Sequence, residues 1–101
     1  MKSLTINKTD FEIFRSLLKR NNLPTPLDYV VLNSKKLSSI SYNYIRSRID
    51  RLSLLNMIEV RKERPLQIRI IPELEEKITK YVMALIEIEE YLNKNGGNEN
   101  V

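Results

Sequence analysis

Residues 38–71 read SSISYNYIRSRIDRLSLLNMIEVRKERPLQIRII, and the change of period inside this stretch decides the fold. In its first half Tyr42, Ile45, Ile49 and Leu52 recur at spacings of 3, 4 and 3, which defines one buried side of a helix. The other side carries Asn43, Tyr44, Ser47 and Arg51, with Arg46 and Arg48 at its flanks. Ser38, Ser39 and Ser41 precede the helix as a serine-rich turn whose hydroxyls can cap its free N–H groups. Asn56 stands where the helix must stop, and asparagine tolerates the left-handed conformation that such an ending uses. Beyond it, residues 57–62 and 66–71 are short runs rich in Ile and Val, separated by Glu63-Arg64-Pro65. They predict a β-hairpin with its proline at the tip, outside the ladder.

Upstream, residues 3–6 are expected to form a short strand, and Thr9 and Glu12 have the spacing of a capping box at the start of a first helix. Phe11, Phe14, Leu17 and Leu18 give that helix an apolar stripe ending near Asn21 and Asn22. Leu23-Pro24-Thr25-Pro26 is a break. Thr25 is expected to cap a second helix over residues 26–35, with Pro26 in its first position, where a missing N–H costs nothing, and with Leu27, Val30 and Val31 buried. Downstream, Leu74, Ile78, Tyr81, Leu85, Ile88 and Leu92 are spaced 4, 3, 4, 3 and 4, a heptad seam widened by Val82, Met83, Ile86 and Tyr91. A helix of about 22 residues is roughly 33 Å long. That exceeds what a core built from residues 1–71 can cover, so the helix is expected to pair with a second copy of itself. Residues 95–101 lack an apolar pattern and are expected to be a disordered tail. The chain therefore divides into a binding domain over residues 1–71, a dimerisation helix over 72–94 and the tail. The fold class is mainly α with a small β-hairpin, an α+β arrangement.

A length of 101 residues with 42% hydrophobic content allows one domain and a modest core. Cysteine and histidine are both absent, which removes disulfides, thiol redox chemistry, the usual zinc ligands and the commonest general base. The carboxylate pairs Glu75-Glu76 and Glu89-Glu90 have no nucleophile or glycine-rich phosphate loop near them in sequence. No enzyme, metal or cofactor is expected. No apolar run is long enough to span a membrane and no secretory start is visible, so a soluble cytoplasmic protein associated with the nucleoid is expected. The net charge of +4 is unevenly divided: residues 1–71 hold fourteen Lys and Arg against six Asp and Glu, whereas residues 72–101 hold three against seven. The front of the chain is suited to a polyanion.

The segment IRSRIDRLSLLNMIEV, residues 45–60, resembles the helix-to-wing junction of prokaryotic winged helix-turn-helix regulators of the PadR and MarR kind. In those families an arginine-rich third helix, a Leu shortly before a glycine-like stop and a Leu-Ile-Glu step lead into the wing. Here Asn56 is the stop and Met57-Ile58-Glu59 takes the step. Their last helix is commonly entered through a Thr-Pro-Glu-Gly-like sequence, and Ile71-Pro72-Glu73-Leu74 departs from it by lacking the Thr and Gly. The single long helix after the wing is more similar to PadR-like proteins, whose dimers form largely through that helix. The resemblance implies a homodimeric protein that binds double-stranded DNA, usually a transcriptional repressor.

With that layout, Ser39 and Ser41 lie where they can meet phosphate or simply cap, and Asn43, Tyr44 and Ser47 are candidates for base edges. Arg46, Arg48 and Arg51 are candidate phosphate clamps, one of them able to read guanine bidentately; the plainer role is a solvated helix with Arg46 paired to Asp50. Lys35 and Lys36 are candidate backbone contacts. Arg61, Lys62 and Arg64 form a basic wing suited to a minor groove, although charge at a hairpin tip also protects a sheet edge. Leu74, Ile78, Tyr81, Leu85, Ile88 and Leu92 form the expected dimer interface. Two other functions fit the same residues: an architectural or plasmid-partition protein that spreads along DNA, and a winged-helix protein-interaction module working through the heptad helix.

Overall fold

In the computed structural model, which describes residues 6–95, the first helix (α1, Lys8–Lys19) starts at Asn7 rather than Thr9. Asn7 Oδ1 accepts from the Asp10 backbone N–H at 2.9 Å, and the Asp10 carboxylate accepts from the Asn7 N–H at 3.1 Å. This reciprocal cap satisfies two donors and lets the helix begin earlier than a Thr9 cap would. Thr9 and Glu12 lie inside the helix and are buried. Phe11, Phe14 and Leu17 are buried as the stripe predicts, with Leu18 partly buried. Ile13 is buried too, because α1 touches elements on several sides: α2, α3, α4, α5 and β3.

Helix α1 ends at two left-handed residues, Asn21 with φ 57° and Asn22 with φ 55°. Asn22 is buried; its side chain accepts from the Ile70 N–H at 2.7 Å and donates to the Ile70 carbonyl at 2.9 Å. Thr25–Pro26 then forms a two-residue strand, β1, instead of capping a helix. The Thr25 hydroxyl donates to the Leu23 carbonyl at 2.7 Å and accepts from Arg20 Nε at 3.2 Å, so it is already engaged. The single helix expected over residues 26–35 is two: α2 (Leu27–Leu32), with no side-chain cap at Pro26, and α3 (Lys35–Ser38). Ser34 Oγ accepts from the Leu37 N–H at 3.1 Å and starts α3, competing with continuation of α2. Leu37 is thereby delivered to the core.

Helix α4 (Tyr42–Leu54) is capped by Ser41, whose hydroxyl accepts from the Tyr44 N–H at 3.3 Å. Ile45, Ile49 and Leu52 are fully buried; Tyr42, expected beside them, is exposed at the edge of the first turn. Asn56 takes φ 58° and turns the chain, with the Met57 N–H donating back to Leu52 at 2.9 Å. Strands β2 (Ile58–Arg61) and β3 (Gln67–Ile70) pair antiparallel with Val60 opposite Ile68, and β1 joins the far side of β3 to give the order β1-β3-β2. Alternation turns Ile58, Ile68 and Ile70 into the core and leaves Glu59, Arg61, Gln67 and Arg69 less buried, on the opposite face. A 3₁₀ turn at Pro72–Leu74 leads into α5 (Glu75–Asn95). The chain is thus mostly helical, with a small three-stranded antiparallel sheet and a long C-terminal helix, an α+β arrangement.

Helix α5 runs back along α1: Thr79 and Val82 share one groove with Arg15 and Leu18, and Leu85 and Ile88 share another with Ile6 and Phe11. The heptad seam is therefore divided. Ile78 is only 5% exposed and belongs to the chain's own core, so it is removed from any interface with a second copy. Leu74 and Leu85 are partly buried against the same core, and Tyr81 meets Phe11 edge-on with ring centroids 6.5 Å apart. Ile88 and Leu92 remain 53% and 54% exposed. The reason is that α1 already supplies the partner for the first half of the seam. From Glu87 to Asn95 every residue is exposed. Of the strand expected at residues 3–6, only Ile6 is described, and it has no regular structure; of the tail, only Asn95 is described, and it ends α5. Among the described residues no helix is long and apolar enough to cross a membrane.

Candidate nucleic-acid interface

The buried row Ile45, Ile49 and Leu52 fixes which side of α4 is presented outward. Asn43, Tyr44, Ser47, Asp50, Arg51 and Leu54 are all exposed, Leu54 to 82%. Two of these side chains make hydrogen bonds. Ser47 Oγ donates to the Tyr44 carbonyl at 2.6 Å, and the Tyr44 phenol oxygen accepts from Asn7 Nδ2 at 3.0 Å. Asn43 makes no hydrogen bond through its side chain among the described residues.

The three arginines of α4 have three different environments. Arg51 is exposed. Arg46 is half-buried, with Nε 3.9 Å from Asp50 and buried there without a hydrogen-bond partner among the described residues. Arg48 is not a free cation, contrary to its reading as a DNA contact. Its Nε donates to Asp10 Oδ1 at 2.9 Å and its Nη2 to Oδ2 at 2.6 Å; the Arg48 side chain is 18% exposed and that of Asp10 not at all. These hydrogen bonds hold the Arg48 proton more firmly than usual, against an opposing effect of burial. Arg48 therefore anchors α4 to the first turn of α1.

The serines and lysines ahead of α4 have local roles in this fold. Ser41 caps α4, and Ser39 Oγ donates to the Lys36 carbonyl at 2.8 Å. Lys36 Nζ lies 3.4 Å from Glu12 Oε2 yet keeps its side chain 65% exposed, and Lys35 is exposed as well. Both lysines leave positive charge on the surface one turn ahead of α4.

The hairpin follows α4 through the Asn56 turn, and β2 touches α4. Lys62 and Arg64 are exposed at the tip and make no ion pair among the described residues. Arg61 is less free: its Nε donates to Glu59 Oε2 at 3.1 Å. The other oxygen of Glu59 accepts from Arg69 Nε and Nη2 at 3.2 and 3.1 Å. The Arg61 hydrogen bond, joined by Arg69, holds the Glu59 carboxyl below the usual carboxylate range although desolvation pushes the other way. Arg69 is the cation that the sequence reading missed. Its place between Ile68 and Ile70 in an alternating strand was the available signal.

Among the described residues no cluster of carboxylates has the makings of a metal site. Of the cations on α3, α4 and the hairpin, Lys35, Arg51, Lys62 and Arg64 are exposed and in no ion pair among the described residues, and Lys36, Arg46 and Arg61 add their exposed parts. Comparison of the chain with protein-family models, with curated proteins and with solved structures found no match.

Proposed function

We propose that the chain is a winged helix-turn-helix protein that binds specific sequences in double-stranded DNA as a homodimer and regulates transcription, as a repressor. One observation carries this reading: α4 has a fully buried apolar side and an exposed polar one bearing Asn43, Tyr44, Ser47 and Arg51, and a hairpin with exposed Lys62 and Arg64 follows it directly. The order of elements and the sheet order β1-β3-β2 fit a wing built on that helix. In this arrangement α4 enters the major groove with its N-terminal residues on base edges, and the wing grips backbone or minor groove. The distal half of α5, with Ile88, Tyr91 and Leu92 exposed, meets a second copy. A two-fold axis then demands inverted half-sites about one helical turn, roughly 34 Å, apart. Bound across a promoter, the dimer excludes polymerase.

Fluorescence anisotropy of the full chain with duplexes of mixed sequence, across a series of salt concentrations, tests the reading. Binding that weakens linearly on a log–log plot of affinity against salt is expected. Failure to bind any duplex at low salt overturns it. Footprinting separates the regulator from a spreading protein: protection of fixed length is expected, and protection that lengthens with concentration overturns the regulatory part.

A further inference from the structure

We infer that the base-reading part of α4 selects A·T pairs, with Asn43 as the reader of adenine; this rests on the DNA-binding reading above. Reading guanine bidentately requires a guanidinium free to aim both nitrogens at O6 and N7. Of the arginines on α4, Arg48 is held bidentately by Asp10. Arg46 lies on the flank with its Nε buried beside Asp50. Arg51 is exposed and in no ion pair among the described residues, but it stands eight residues beyond Asn43, about 12 Å along the helix axis, toward the end that lies away from the bases when the N-terminal turns enter the groove. Arg51 is therefore placed for phosphate.

What remains in the first turns is uncharged. Ser47 has committed its hydroxyl proton to the Tyr44 carbonyl and can only accept from outside. The Tyr44 phenol accepts from Asn7 and keeps one proton to donate. Asn43 is the one residue of α4 with an amide, which sets a donor and an acceptor side by side on two atoms, and that pair matches the N7 acceptor and N6 donor of adenine; the exposed Tyr42 and Tyr44 have only single hydroxyls. The acidic Asp50, three residues after Ser47 and exposed, opposes deeper insertion of the helix because it would approach phosphate.

Selection from a pool of randomised duplexes, with the full chain and its Asn43→Ala and Asn43→Arg variants, tests the inference. Circular dichroism should show all three folded, since Asn43 is exposed and bonds to nothing described. The parent chain is expected to recover half-sites with an adenine whose replacement by guanine weakens binding by about tenfold to a hundredfold. In Asn43→Ala that preference should vanish, and in Asn43→Arg it should move to guanine. Recovery of a guanine at the Asn43-dependent position, or an adenine preference that survives in Asn43→Ala, overturns this assignment and leaves DNA binding standing. Recovery of no duplex at all overturns both.

Discussion

The side-chain amide of Asn22 pairs with the backbone of Ile70 on both sides, accepting from its N–H at 2.7 Å and donating to its carbonyl at 2.9 Å. It takes the place of a strand residue beside β3, where β1 is only two residues long. The same amide donates to Glu75 at 3.2 Å, so one residue joins the end of α1, the central strand and the start of α5.

Asn22→Ala should destabilise the fold by about 3 kcal/mol, because it strands a buried N–H and carbonyl and puts a Cβ-bearing non-Asn residue at positive φ. Asn22→Gly relieves the backbone part and isolates the lost hydrogen bonds. Urea unfolding of the two variants should rank parent, Gly and Ala in that order of stability.

Arg48→Ala and Arg51→Ala should separate anchoring from contact. Removing Arg48 leaves the fully buried Asp10 carboxylate without its cation and should cost roughly 3 kcal/mol of stability with no change in the salt slope of DNA binding. Arg51→Ala should leave stability unchanged and lower that slope by about 0.9. Denaturation and anisotropy titrations of each variant give the two numbers.

Glu59→Gln should strengthen DNA binding and steepen its salt dependence, since it releases Arg61 and Arg69 from their shared carboxylate. It should also change the acid response. A carboxyl whose folded pKa is depressed contributes stability that is fully present above its unfolded value and lost as pH falls through the lower folded one. The parent should therefore lose stability on acidification below the ordinary carboxylate range more steeply than Glu59→Gln, as read by urea midpoints over an acid pH series.

Two substitutions on α5 should have opposite readouts. Ile88→Glu combined with Leu92→Glu should yield a folded monomer by light scattering, because both residues are exposed on a helix whose first half is already packed. Ile78→Ala should instead cost about 3 kcal/mol of folding stability, as expected for a cavity in the core.

The apolar period made the body of the fold legible: Ile45, Ile49 and Leu52 are buried as their spacing requires, Asn56 takes the left-handed turn, and the hairpin follows. Period alone could not divide the α5 seam, because packing on α1 and packing on a second copy ask for the same spacing. Nor could it read Arg48, whose partner lies 38 residues earlier; at a helix flank an arginine is equally suited to solvent and to a buried carboxylate. Thr25 misled for a different reason. A strand of two residues carries no alternation, and its threonine looks like a cap until its hydroxyl is seen bonded elsewhere.

Asp10 closes the first turn of α1 and grips Arg48 of α4 with one carboxylate. Fraying at the beginning of one segment and slippage of the other are therefore a single opening event. Amide protons near Asn7 and in the middle of α4 should exchange with deuterium at matched free energies, as one cooperative unit built from distant parts of the chain.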